Sequence, residues 1–142
     1  MRRFLVVGNQ TLGSEQLRAA IHERLASGSC QFHVVVPATQ PRDHLFWSEG
    51  ESTAVARRRL DEALTWMHAD GTITSGSVGD ANPVLAVTDA LRGEEFDEII
   101  LSTLPPGPSR WIHQDLPRRL ARQTDLPVCH VVAVVREAEA PR

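Results

Sequence analysis

The sequence predicts an α/β domain with an open, largely parallel sheet of five strands and helices on both faces. Five short apolar runs alternate along the chain with four segments of helical periodicity. The runs at 34–36 and 99–101 are continuously apolar, which is typical of parallel strands covered on both faces. The 142 residues, 42% of them hydrophobic and 23% charged, suit one domain over residues 1–135, followed by a frayed tail at 136–142.

The first half of the chain predicts two strands and two helices. Residues 3–8 form a buried strand ending in glycine, and residues 32–36 form a second strand closed by Pro37. Between them, Ser14 caps a helix that ends at Ser27 and Gly28. After a long connection, a second helix spans residues 53–68 and ends at Asp70. The apolar positions of these two helices are Leu17, Ala20, Ile21 and Leu25, then Ala56, Leu60, Ala63, Leu64 and Met67.

The second half continues the alternation. Residues 72–79 form the third strand, and Asp80 or Asn82 opens a helix with Pro83 in its first turn and Gly93 just past its end. The fourth strand covers residues 96–103. A further helix over 115–124, capped by Asp115, leads to the fifth strand at 126–135.

Composition excludes several classes of protein. A net charge of -3 and a pI near 6.0 argue against a nucleic-acid partner, because such binding depends on neutralising phosphates. The basic run at 57–59 is followed by two acids and is interpreted as a solvated helix face. No run approaches the ~20 apolar residues of a membrane span, so no membrane partner is expected. Cys30 and Cys129 lack metal-ligand spacing and are interpreted as two buried free thiols in a cytoplasmic protein.

The candidate site lies in two loops. In open parallel sheets a ligand sits beyond the carboxyl ends of the strands, where the strand order reverses, and the first and fourth strands can be neighbours there. The loop after the first strand offers hydrogen-bonding groups for a sugar or base: Asn9, Gln10 and Thr11. The loop after the fourth strand offers partners for phosphate oxygens and a glycine that allows close backbone approach: Ser102, Thr103, Ser109, Arg110 and Gly107.

Two stretches give the chain a resemblance to a known family. They are "GSVGDANPVLAVTDAL" at 76–91 and "FDEIILSTLPPGPSRWIHQDLPRRLARQTDLPVCHVV" at 96–132. The first is similar to the glycine-aspartate-x-x-proline entry into the third helix of universal stress proteins, and the second to their fourth strand, loop, arginine-bearing helix and approach to the fifth strand. The resemblance covers nearly the whole chain. It implies a Rossmann-like sheet in the order 3-2-1-4-5 and a homodimer, often joined through the last strand.

The chain departs from the family in its ATP-binding motif. Many members carry G-x-x-G, nine further residues and G-S or G-T. Here the glycine positions fall on Ser102 and Pro105, and the final pair falls on Gln114 and Asp115, with a one-residue gap near Pro106. The family's aspartate after the first strand is replaced by Asn9. Because prolines offer no N–H and Asp115 repels phosphate, the loop is interpreted as a rebuilt phosphate site.

We therefore expect a non-catalytic regulatory or binding module, a dimeric scaffold with an altered nucleotide site and a small-molecule or protein partner. The alternative is an ATP- or AMP-binding stress protein, in which Asn9, Thr11 and the backbone near Val36 hold the nucleoside. In that alternative, Ser102, Thr103, Ser109 and Arg110 face the phosphates. A slow ATPase is the weaker alternative, since no base and no Mg²⁺-binding carboxylate pair is identifiable. No cofactor is assigned beyond this optional adenine nucleotide.

The remaining features favour structural interpretations. Trp111 is interpreted as a plug over the core more readily than as a base-stacking platform. Phe46 and Trp47 in the long connection fit a partner surface and a lid over the crevice equally well. The six histidines are scattered, with no carboxylate or cysteine at a telling sequence spacing, so neither a metal site nor a hydrolase is predicted.

Overall fold

A computed structural model of the protein describes residues 1–39, 48–106, 111 and 115–134. The five strands are β1 (Arg2–Val7), β2 (Cys30–Pro37), β3 (Thr74–Gly79), β4 (Glu98–Thr103) and β5 (Val128–Val132). The four helices described are α1 (Glu15–Ala26), α2 (Glu49–Ala69), α3 (Pro83–Leu91) and α4 (Leu116–Thr124). All strand pairs are parallel and the sheet order is β3-β2-β1-β4-β5. The predicted α/β, Rossmann-like architecture is confirmed.

The central strand β1 is buried on both faces of the sheet. Its successive side chains point to opposite faces, so each face has its own set of packed residues. On β1, Phe4 and Val6 belong to one hydrophobic cluster, which α1 and α2 complete. Leu5 and Val7 belong to a second cluster, which includes buried residues of α3 and α4. All four of these β1 side chains are fully buried, which explains the continuously apolar strands in the sequence.

Two helix starts follow the predicted capping chemistry. Ser14 is the N-cap of α1, and its hydroxyl accepts a hydrogen bond from the backbone N–H of Leu17 at 3.1 Å. Asn82 is the N-cap of α3, where its side-chain oxygen accepts from the N–H of Val84 at 3.0 Å, with Pro83 in the first turn. Each cap satisfies an N–H group that the helix itself leaves without a partner.

The start of α2 was predicted wrongly. The helix begins at Glu49, four residues before the predicted Thr53, and Ser48 caps it by accepting from the N–H of Glu51 at 3.1 Å. The sequence concealed this start because Gly50 lies in the first turn and is unfavourable inside a helix. The cap and the acidic residues Glu49 and Glu51 near the positive end of the helix dipole outweigh that penalty.

The predicted cap of α4 is also wrong. Asp115 occupies the N-cap position but has a left-handed backbone, with φ 56 and ψ 38, and its side chain makes no capping hydrogen bond. A side-chain cap requires an extended backbone, which directs the oxygen at the free N–H groups of the first turn. The Asp115 carbonyl accepts from Arg119 N at 3.1 Å, which is the ordinary backbone bond of an N-cap residue.

The outer strands and the cysteines differ in detail from the prediction. β3 begins at Thr74 and β5 ends at Val132, so both are shorter than the sequence suggested. The predicted tail at 136–142 lies outside the described residues. Both cysteines are free, as predicted, but only Cys30 is buried, whereas Cys129 is half-buried. Within the described ranges, no helix is both long and apolar enough to cross a membrane.

Candidate functional site

The carboxyl ends of β1 and β4 lie side by side at the centre of the sheet. Val7, the last residue of β1, is paired with Leu101 of β4. From this pair the chain winds outward to β2 and β3 on one side and to β5 on the other, which makes it the switch point. A Cβ at Gly8 would lie 2.8 Å from Leu12 Cδ2 and 3.4 Å from Ser102 Cβ. Glycine therefore lets the loop after β1 fold closely over the end of β4.

The hydroxyls of Thr11 and Ser102 bind each other. Their oxygens are 2.5 Å apart, and the Ser102 hydroxyl also lies 3.5 Å from the Thr11 carbonyl. Both residues are buried, Ser102 completely. The structure thus brings these two predicted ligand contacts together across 91 positions of sequence, but as a clip between the loop and β4.

The Thr103 hydroxyl is also hydrogen-bonded within the protein. Its buried hydroxyl lies 2.9 Å from the Leu104 carbonyl and 2.8 Å from Nε2 of His130 on β5. Because the hydroxyl proton goes to the carbonyl, the Thr103 oxygen accepts from the N–H of His130. Burial lowers the pKa of His130, which favours the neutral ring at pH 7. No sequence signal indicated this pair, since the two residues are 27 positions apart on neighbouring strands.

Asn9 is held between two groups at the end of β1. Its Nδ2 donates to the Pro37 carbonyl at 2.7 Å, and its Oδ1 accepts from Nη1 of Arg59 on α2. The adjoining residue Val36 is fully buried and stands opposite Val78 in the β2–β3 ladder. The Asn9 amide and the Pro37 carbonyl, two groups near the predicted nucleoside position, are therefore bonded within the protein.

Arg59 is the residue that sequence reasoning missed. The basic run at 57–59 was interpreted as a solvated face; Arg57 and Arg58 are exposed, but Arg59 is half-buried and reaches the crevice. Desolvation, followed by the positive charge of Arg58, lowers the pKa of Arg59. The seven-residue spacing from Arg59 to Trp66 is about two helical turns, and it could have indicated that the two side chains share one face of α2. Both lie on the helix face towards the loop, where Trp66 Nε1 donates to the Leu12 carbonyl at 3.0 Å.

The other predicted site residues are distributed differently. Gln10, which follows Asn9 in the loop after β1, is exposed. Gly107, Ser109 and Arg110, predicted to meet phosphates, lie outside the described residues, as do Phe46 and Trp47. Trp111 is buried in the second hydrophobic cluster, which confirms the prediction that it covers the core. In the part of the chain that the structure describes, no group of three or more His, Cys, Asp or Glu side chains is arranged to hold a metal ion.

A second polar cluster lies on the β2–β3 pair. His33 bonds through Nδ1 to the Ser75 hydroxyl at 2.8 Å and through Nε2 to the Ser77 hydroxyl at 3.1 Å. Burial lowers its pKa, outweighing the attraction of Glu94. A neutral ring has one N–H donor and one acceptor, so it serves both hydroxyls at once. The sequence showed His33 as an isolated histidine because its partners are on the next strand.

No protein-family model matches the chain, and a search of curated proteins gives no significant match.

Proposed function

We propose that this protein is a universal-stress-protein-like regulatory or binding module, a non-catalytic homodimeric scaffold with an altered nucleotide site. The observation that supports the altered site is that the crevice's buried polar groups already bond within the protein. Thr11 bonds Ser102, Thr103 bonds His130, and Asn9 bonds Pro37. A nucleotide that used these groups would have to break the bonds between them, which lowers its affinity. The sheet order and its central switch point support the resemblance to the family.

The alternative function is that of an adenine-nucleotide-binding stress protein. One observation favours it: the half-buried guanidinium of Arg59 provides positive charge at the end of β1, where an anionic ligand would need it. A slow ATPase remains the weaker alternative. Among the described residues of the loops after β1 and β4 and their contacts, the only histidine is His130, whose Nε2 is already hydrogen-bonded to the Thr103 hydroxyl at 2.8 Å. A ring nitrogen that is already bonded within the protein is a poor candidate for the base that would activate an attacking water.

The nucleotide question has a direct test. The protein is purified without added nucleotide and denatured, and the released small molecules are identified by mass spectrometry. We expect no ATP, ADP or AMP, and we expect added ATP to produce no heat of binding in calorimetry. Near-stoichiometric adenine nucleotide in the purified protein would show that the altered loop still binds phosphates, and the alternative would replace our proposal.

The dimer has a separate test. β5 is an edge strand whose neighbour Val134 is 60% exposed, and apolar edges of this kind are normally covered. Light scattering coupled to size-exclusion chromatography should give twice the chain mass of 15.7 kDa. Val134→Asp should reduce it to the monomer mass, whereas the matched change at exposed Ile73, beside the opposite edge strand, should not. A wild-type protein at monomer mass would refute the dimeric scaffold. We place this module in the cytoplasm on the resemblance and the free thiols.

A further inference from the structure

The charge of Arg59 is not matched by any carboxylate in the described ranges. Other arginines that pack against this domain are matched: Arg24 bonds Glu98 at 3.0 Å, and Arg18 bonds Asp70 at 2.8 Å. Arg59 donates to the neutral amide oxygen of Asn9, and no ion pair involves it in the part of the chain described. Partial burial of a cation without a counter-charge is costly, and here it lowers the pKa of the guanidinium.

The surroundings do not remove this imbalance. Arg58 precedes Arg59 and adds positive charge, while the carboxylate of Glu62, one turn further along α2, is a smaller influence on its pKa. The loop from Asn9 to Ser14 contains no acidic residue. The described end of β1 therefore carries net positive charge, although the whole chain has a formal charge of -3.

The arginine is also held in position. Asn9 is 9% exposed, and its donation to the Pro37 carbonyl turns Oδ1 towards Arg59. One N–H of the guanidinium is used by this contact, and its other N–H groups have no partner among the described residues. A planar guanidinium fixed at one nitrogen retains the paired donors that match two oxygens of one anion. Asn9 follows β1, which is one of the two strands at the switch point where open parallel sheets accept ligands.

We propose that Arg59, positioned by Asn9, binds an oxyanion, the carboxylate or phosphate group of a small ligand, at the carboxyl end of β1. This inference rests on the proposed role of the domain as a binding module, and it names the chemistry of the ligand. The exposed Gln10 lies beside the site and offers an amide to the same ligand. The proposed anion replaces the carboxylate that the half-buried arginine lacks among the described residues.

The test measures thermal unfolding against inorganic phosphate and, separately, acetate, with sodium chloride adjusted to keep ionic strength constant. At ten times the dissociation constant of the better anion, we expect wild type to gain roughly 4–6 °C, with saturation. Arg59→Gln should abolish the gain. Arg58→Gln is the matched control, since it removes the same charge from an exposed neighbour, and it should respond as wild type does.

Two outcomes overturn the inference: a saturable gain that Arg59→Gln leaves unchanged, or no saturable gain with either anion. If Arg59→Gln does not fold, the wild type and Arg59→Lys decide in its place. Anion titration of the wild type should shift the backbone NMR signals of Asn9 and Gln10, and Arg59→Lys should weaken binding about tenfold by losing the planar fork. If neither the NMR shifts nor the weaker binding of Arg59→Lys is observed, the inference is refuted. Nucleotide content and dimer mass are measured independently, so failure of the proposed function is distinguished from failure of this site.

Discussion

The contact between Thr11 and Ser102 can be tested by a double-mutant cycle. Ser102→Ala removes the hydroxyl partner of Thr11, a residue that is 5% exposed, and Thr11→Val removes the hydroxyl partner of Ser102, a residue that is fully buried. Their oxygens are 2.5 Å apart, so each single change leaves a buried hydroxyl without its short hydrogen bond. Leaving such a group unsatisfied costs about 1–3 kcal/mol. We expect each single variant to lose roughly 1–2 kcal/mol of unfolding free energy.

The double variant, Thr11→Val with Ser102→Ala, shows whether the two losses of stability are coupled. When both hydroxyls are removed, neither remains unsatisfied, so its loss should be close to that of one single variant. This corresponds to a coupling energy of about 1 kcal/mol or more. Urea unfolding measures it, because a loss of that size moves the midpoint by roughly 0.5–1 M. Thr65→Val is a control: this exposed hydroxyl bonds the Asp61 carbonyl, and its removal should cost less than about 0.5 kcal/mol. Strictly additive losses would show that the two hydroxyls do not stabilise each other, and the internal pairing of the crevice would be refuted.

Three further predictions concern packing and pH. Gly76→Ala should destabilise the fold by about 1–3 kcal/mol in urea unfolding, because its Cβ would lie 2.4 Å from Cδ1 of the fully buried Leu60. Gly13→Ala is the control, since open space surrounds that position, and it should not destabilise the fold. Equal losses of stability in the two variants would contradict the packing argument. Hydrogen bonds from Arg18 and then His22 lower the pKa of Asp70 to about 2, so its contribution to stability is present above pH ~4 and lost as the pH falls towards 2. Acid titration of unfolding should show this loss in wild type and not in Asp70→Asn; identical acid profiles would contradict it. Burial lowers the pKa of His33, so the stability it contributes is full above pH ~6.5 and declines as the pH falls further. Unfolding at pH 7.5 and 5.5 should show a smaller difference in His33→Gln, and NMR titration of its ring should give a pKa below that of a free histidine.

The fold could be predicted because its determinants are local or periodic. Continuous apolar runs identify strands buried on both faces, and capping residues such as Ser14 and Asn82 act within three positions of themselves. The same local rules gave wrong predictions of two helix starts, where one local preference conflicted with another. At Gly50 a poor helix former stood inside a well-capped first turn, and at Asp115 a residue suited to capping had the wrong backbone conformation.

The sequence by itself therefore determined the alternation of strands and helices, the two apolar faces and the loops at which a ligand site was expected. Only the tertiary structure decided what the residues of those loops do. Thr11 and Ser102, which were predicted as ligand contacts, are hydrogen-bonded to each other, and Arg59, which was predicted to lie on a solvated face, reaches Asn9. The physical reason is that a hydroxyl or guanidinium takes whichever partner lies within hydrogen-bonding distance, and here those partners come from elements 50 to 91 residues apart.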